Sequence, residues 1–319
     1  MILRAILPGA ILAALLLLVP VFAYVSDNIF VLTIASRALL LASAATSLNL
    51  IMGYGGLINL GHAVFIGIGA YIVGIGSHHA FNDDAVWLTN GFFQLALVIS
   101  VSALLGLAIG AMSLRTRGVY FLMITLAFGQ MIYLAAVGAY SYGGDDGMTV
   151  FLKTDFSGFR LSGYYTNYWL AAGLLALSLF AVYRLSRSRF GLVLRAAKTN
   201  EQRARALGYE PFQVRLVAFV IAGVIAGIAG FLMANQTGFV SPAMMHWTRS
   251  GELIVMVVLG GLGTIFGPLL GAIAFLALEE VLSGFTEYWA IPLGLILIAV
   301  ARYMPSGLSI ILGKSGKDG

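Results

Sequence analysis

Runs of about twenty apolar residues follow one another from end to end of this chain, and nothing long enough to be a soluble domain separates them. A hydrocarbon core about 30 Å thick needs about 20 residues of helix to cross it, so each run is read as a span. Hydrophobic residues make up 60% of the 319, and charged residues 10%, which leaves too few charges to clothe a water-soluble surface. The fold class is therefore an all-α polytopic membrane protein, with residues 1–319 forming a single transmembrane domain.

The spans fall near Ile6–Tyr24, Ile29–Met52, Leu57–Ser77, Phe92–Leu114, Val119–Tyr140, Asn167–Tyr183, Val214–Gln236, Gly251–Gly261, Gly267–Ser283 and Tyr288–Met304, about ten helices with the eighth short. The first run also resembles a signal peptide, but it is long enough to span and its inclusion makes the later topology even. Lys and Arg in short loops collect on the cytoplasmic side. With the N-terminus inside, that side receives Arg4, Arg115, Arg117, Arg302, Lys314, Lys317 and the whole basic stretch between Arg184 and Arg215. The outer side keeps only Lys153, Arg160 and Arg249, and Asp27, Asp83, Asp84, Asp145, Asp146, Asp155, Glu279, Glu280 and Glu287 lie outside or at the outer edge. Both termini are then cytoplasmic. This split accounts for the formal charge of +5 without any nucleic-acid partner.

Two glycine clusters interrupt the spans. Gly53-Tyr54-Gly55-Gly56-Leu57-Ile58-Asn59-Leu60-Gly61-His62 reads either as a tight cytoplasmic turn or as a broken segment beside a pathway, since non-helical backbone at membrane depth must be covered by protein or water. Gly260-Gly261-Leu262-Gly263-Thr264-Ile265-Phe266-Gly267-Pro268 divides the eighth and ninth spans in a similar way. Asn49, Asn59 and His62 each need a partner if buried. Gly223, Gly227 and Gly230 permit close helix approach, and packing explains them. The loop 141–166 is the long external one, and its aspartates are expected to be solvated surface facing any extracytoplasmic partner, since their spacing does not make a calcium loop.

Catalytic chemistry is hard to place. Gly313-Lys314-Ser315 resembles the end of a phosphate loop, but Gly307 lies one residue too far upstream and no helix can follow. There is no Gly-x-Ser-x-Gly elbow, and His78-His79 lack the carboxylate neighbours of a hydrolytic metal site. With no Cys, thiolate metal sites and Cys nucleophiles are excluded, so no catalytic residue, metal or cofactor is assigned to this chain. An ion-coupled secondary transporter would be expected to hold a midplane carboxylate. Only Glu252, near the outer start of the eighth span, and Arg37, inside the second, come close. Arg37 is read as a structural partner or a snorkelling side chain.

The stretch 184–215 has the marks of a folded cytoplasmic loop. Thr199-Asn200-Glu201-Gln202 has the form of a capping box, so Thr199 is expected to cap a helix over 200–207 that Gly208 ends and Pro211 forbids from continuing. Glu201 and Arg205 are spaced to pair on its surface. Such a helix either rests on anionic lipid or serves as a knob for a cytoplasmic protein.

Here the residues resemble a family. Asn200-Glu201-Gln202-Arg203-Ala204-Arg205-Ala206-Leu207-Gly208, followed by Phe212-Gln213-Val214-Arg215-Leu216-Val217-Ala218-Phe219, is similar to the ATPase-docking loop of ABC importer permeases of the branched-chain amino acid family, in its LivM-type variant. Ser47-Leu48-Asn49-Leu50, Gly55-Gly56-Leu57, Gly61-His62-Ala63, Thr125-Leu126-Ala127-Phe128-Gly129 and Gly260-Gly261-Leu262-Gly263-Thr264 extend the likeness from the second span to the ninth. The resemblance implies a ten-helix permease half in the bacterial inner membrane, with the docking loop between helices six and seven. It also implies a second homologous permease, two cytoplasmic ATPases that hold the ATP and Mg, and an extracytoplasmic binding protein. Because the chain stops soon after its last span, the ATPase is expected on a separate chain. Asn49, Asn59, His62, Gln130 and Glu252 are expected beside the pathway. The substrate is expected to be a branched-chain amino acid, with urea, short amides and aromatic acids as alternatives. A secondary transporter and a non-transporting membrane scaffold remain the rival classes.

Overall fold

The computed structural model describes residues 18–25, 28–116, 118–156, 158–285, 288, 290–303 and 307–308. Most of the first expected span, Glu287 and the Gly313-Lys314-Ser315 tail lie outside the described residues, although residues 18–25 are helical. Among the described residues seven helices are long and apolar enough to cross a bilayer. They are α1 (Ile29–Asn49, continued by a π-helical segment Leu50–Tyr54), α2 (Ala63–Asn82), α3 (Gly91–Ser113), α4 (Val119–Val137), α5 (Tyr164–Arg187), α8 (Pro211–Thr237) and α10 (Gly267–Phe285). Between α5 and α8 lie two shorter helices, α6 (Arg189–Thr199) and α7 (Glu201–Ala206). The expected eighth and tenth spans are α9 (Trp247–Gly260) and α11 (Ala290–Tyr303), each of 14 residues. At 1.5 Å per residue a helix of that length covers only about 21 Å.

Lipid tails are as apolar as leucine, so these helices are held together by close packing and hydrogen bonds more than by the hydrophobic effect. Helix α8 supplies the packing at the centre. Ala222, Ala226, Gly230 and Ala234 recur every four residues beside Gly223 and Gly227, and all are buried. A Cβ on Gly230 would run into the Ile66 carbonyl of α2, and one on Gly69 into the Gly227 carbonyl, so the α2 and α8 backbones touch. Gly227 also meets Ser102 of α3, and Gly223 meets Phe65, which agrees with the packing role expected for these glycines. The α9–α10 crossing is built alike, with Gly271 against the Met256 carbonyl and Gly260 against that of Gly267. Large apolar side chains such as Leu104, Met123, Leu134 and Leu177 point outward.

In the loop after α4 the aspartates follow expectation at two of three positions, with Asp155 half-buried, and the rest of the loop is anchored. Asp145 and Asp146 are exposed, but Val150, Thr154 and Leu161 are buried. Its strand β1 (Met148–Thr149) pairs antiparallel with β4 (Phe239–Val240), which follows α8. The Leu152 N–H donates to Ser77 Oγ at 2.9 Å, the Thr154 N–H to Asn235 Oδ1 at 3.0 Å, and the Thr154 hydroxyl to Gln94 Oε1 at 2.6 Å. Three helices therefore hold this loop, because its buried polar groups need partners that water cannot provide there. Asp155 folds locally, accepting from the Gly158 N–H and facing Arg160 across β2 (Asp155–Phe156) and β3 (Phe159–Arg160).

Candidate functional site

At the opposite end of the bundle, α5, α6, α7 and α8 form the basic unit. Helix α6 was not anticipated, although Phe190, Val193, Leu194 and Ala197 recur at helical spacing and mark its inner face. It begins one residue after α5 ends, and Gly191 permits the tight turn because a Cβ there would strike the Leu185 and Ser186 carbonyls. Arg195 closes the joint by donating to the Ser186 carbonyl at 3.1 Å.

The capping residue is a correction. Thr199 is the last residue of α6, and its hydroxyl donates back to the Arg195 carbonyl at 3.1 Å. Asn200 alone between α6 and α7 has extended backbone, at φ −155° and ψ 100°, and its side chain accepts from the Arg203 N–H at 3.0 Å. An N-cap must stand outside the helix, so Asn200 caps and Thr199 cannot. Helix α7 is consequently six residues long, Glu201–Ala206, rather than 200–207. Gly208 ends the turn at φ +83°, a conformation that favours glycine, and Pro211 opens α8.

Glu201 is the hub. It accepts from Arg205 at 2.7 Å, the expected surface pair, and from Arg215 of α8 at 2.9 Å, a pair in which each side chain is only 12% exposed. Arg215 also donates to the Ala197 carbonyl at 2.9 Å, so α6, α7 and α8 share one charged knot. Ala204 faces inward, whereas Leu207 is 69% exposed. Beside it Arg205, Gly208, Tyr209, Glu210, Pro211 and Phe212 line a cleft of about 450 Å³. Arg203 and Gln202 complete the outward surface of α7.

From this unit Lys198 reaches α1, donating to the Gly53 carbonyl at 2.8 Å. The two glycine clusters of the sequence meet here. Gly53 lies against Gly263, and Asn49, one turn before Gly53, holds the second cluster with both ends of its amide, accepting from the Gly263 N–H at 2.9 Å and donating to the Thr264 carbonyl at 2.8 Å. The chain between Tyr54 and Ala63 is non-helical yet largely buried, which agrees with a broken segment covered by protein. Its far side is a polar turn. Asn59 Oδ1 accepts from the Gly61 N–H at 2.9 Å, His62 Nε2 lies 2.9 Å from Ser47 Oγ, and the Ala63 N–H donates to Ser250 Oγ of α9 at 2.9 Å. Gly129 of α4 packs against Gly61, and Gln130 is the next residue of that helix. Glu252 lies two residues beyond Ser250 and pairs with Arg249 at 2.8 Å. Asn59 and His62 thus share one turn, with Asn49 tying down the other side of the break, while Gln130 and Glu252 lie on the neighbouring helices α4 and α9. Buried Asn59 Nδ2 and Gln130 Nε2 have no hydrogen-bond partner among the described residues.

Two other expectations resolve. Arg37 takes the structural role, meeting Glu279 of α10 at 3.2 Å, 242 positions away in sequence. His79, expected to lack a carboxylate neighbour, has Asp83 one turn on at 2.6 Å. Among the described residues no three His, Cys, Asp or Glu side chains converge as metal ligands.

Residues 30–301 match the family model of the branched-chain amino acid transport system permease component. The chain belongs to that family. The permease is 31% identical over 300 residues to the high-affinity branched-chain amino acid transport system permease protein LivM of Salmonella typhimurium, covering 86% of this chain and 69% of that protein. It is 26% identical over 286 residues to the corresponding LivH of the same organism, covering 84% and 90%. The probable LivM of Methanocaldococcus jannaschii is 26% identical over 307 residues, covering 82% and 88%. No solved structure matches it. These relatives, named as transport permeases, bear out the resemblance read from the glycine motifs and the 200–208 segment. With seven bilayer-length helices, the permease is a multi-pass membrane protein.

Proposed function

We propose that this chain is one transmembrane subunit of an ATP-binding cassette importer for branched-chain amino acids in the bacterial inner membrane. It has about ten spans, the two 14-residue helices and the segment containing residues 18–25 completing the seven. Both termini are cytoplasmic, and residues 1–319 form one permease domain. It pairs with a second, homologous permease, as the likeness to both LivM and LivH relatives suggests. Two separate cytoplasmic ATPases bind ATP and Mg, and an extracytoplasmic protein delivers the substrate.

One observation carries the reading. A capped six-residue helix stands between two bilayer-length helices and is fastened to the second by the Glu201–Arg215 pair, so a push on Leu207 is transmitted instead of absorbed. ATP-driven closure of the ATPases moves α7, and α5 and α8 pass the movement to the pathway. That pathway runs past Asn59, His62, Gln130 and Glu252, with Asn49 at its basic-side margin. Asn59 Nδ2 and Gln130 Nε2, without a partner among the described residues, can meet the permeant solute or the second subunit, since a buried donor left unpaired costs about 1–3 kcal/mol.

The test is uptake of radiolabelled leucine by proteoliposomes holding both permeases and both ATPases. The expected result is uptake that requires ATP inside and a cognate binding protein outside. Uptake that continues on an ion gradient without ATP would replace this reading with a secondary transporter.

A further inference from the structure

The basic unit is joined in sequence to α5 and α8, yet one of its charged side chains grips α1. Helix α1 widens into its π-helical segment at Leu50–Tyr54 and then leaves the helical path, with Gly56 at φ +70°. The Met52 carbonyl is met by the Gly56 N–H and that of Ile51 by the Leu57 N–H, at 3.1 and 3.2 Å. The Gly53 carbonyl is met by the Lys198 ammonium. Carbonyls at a helix C-terminus carry partial negative charge, so a cation there satisfies both a hydrogen bond and the helix dipole. The lysine stem is seated as well, since a Cβ on Gly56 would come within 2.7 Å of Lys198 Cγ. One turn earlier, Leu194 is buried with Leu50 and Tyr54 in a small cluster separate from the main core. Beyond Gly53, the Asn49 amide continues the contact to Gly263 and Thr264.

We infer that Lys198 is a positioning residue that makes α6 and the break in α1 move as one body. A displacement of α7 is then delivered straight to the Gly53–His62 turn and, through Asn49, to the second glycine cluster, besides travelling along α5 and α8. This inference rests on the importer reading above.

The chain has no cysteine, so labels can be placed singly. Spin labels on Ile58→Cys and Leu192→Cys, both exposed sites, report the distance between the break and α6 in the assembled complex. The expected result is one narrow distance, unchanged between the nucleotide-free and ATP-bound states, that broadens in Lys198→Met. Lys198→Met is also expected to lower leucine uptake about tenfold, the scale of one hydrogen bond to a charged group, while ATP hydrolysis by the complex continues. Lys198→Arg restores most of the uptake, which a purely space-filling role would not require. A label distance that shifts between nucleotide states with Lys198 in place overturns the inference, even if Lys198→Met fails to assemble. So does a Lys198→Met protein with unchanged uptake and an unchanged distance. Absence of ATP-dependent uptake in the unsubstituted complex would count against the importer reading instead, and the nucleotide-free distance comparison would still judge the lysine.

Discussion

The basic unit and the 141–166 loop of this permease are fastened by different chemistry. At the basic end, long charged side chains cross between elements to reach backbone carbonyls and each other, as Lys198, Arg195, Arg215 and Glu201 do. At the opposite end, short neutral side chains, Ser77, Gln94, Thr154 and Asn235, stitch the 141–166 loop onto the helices from buried positions. A long ammonium or guanidinium holds its partner over a range of separations, and its attraction falls off slowly with distance. A buried neutral hydrogen bond is short and directional, and costs much to leave half-made. The difference suggests a basic end built to transmit movement and an opposite end built to stay put.

Charge reversal at Glu201 tests that contrast most severely. Glu201→Arg would face Arg205 and Arg215 with a like charge, and is expected to cut leucine uptake by at least about tenfold, ~1.4 kcal/mol of coupling, while the complex still assembles and hydrolyses ATP. Uptake at the unsubstituted level would show that the charged knot is ornamental. Asn235→Ala tests the other end, stranding the buried Thr154 N–H. It is expected to destabilise the permease by about 1–3 kcal/mol, read as a lower midpoint of thermal unfolding, and to speed tryptic cleavage at Lys153 and Arg160. The ratio of uptake to ATP hydrolysis should hold, and a fall in it would erase the distinction between the ends.

Removing the cap has a smaller effect. Asn200→Ala is expected to cost about 1 kcal/mol and to raise amide hydrogen exchange over Glu201–Ala206, whereas Thr199→Ala should leave that exchange nearly unchanged. The reverse order would restore the capping box. Smallest is the exposed Arg205 pair, where Arg205→Ala should change coupling by no more than about 0.5 kcal/mol, an effect that vanishes as salt shortens the Debye length from about 10 Å to about 3 Å.

Much of the architecture was legible because bilayer thickness fixes run length, and because glycine in a membrane helix marks close approach. The segment 200–208 stood out for the same reason in reverse, as a charged interruption with a glycine stop. Its cap was misread because Thr199 and Asn200 are both competent caps, and the choice depends on α6 running on to Thr199. The stitching of the 141–166 loop and the Arg37–Glu279 pair were not legible, since Thr154 finds Asn235 at a sequence separation of 81 and Arg37 finds Glu279 at one of 242. Local pattern carries no record of such partners. The meeting of the two glycine clusters on Asn49 was hidden likewise, although both clusters and the asparagine were conspicuous one by one.

The central claim, that α7 is where an ATPase drives the membrane part, is tested most directly by a single cysteine at Leu207, the most exposed apolar side chain beside α7. In transport-competent membranes, a short thiol-reactive cross-linker on Leu207→Cys is expected to capture an ATP-hydrolysing subunit, with a yield that changes when ATP is bound. A cysteine there that reacts freely with a soluble thiol reagent, yet captures no ATPase while leucine uptake proceeds, would contradict the account.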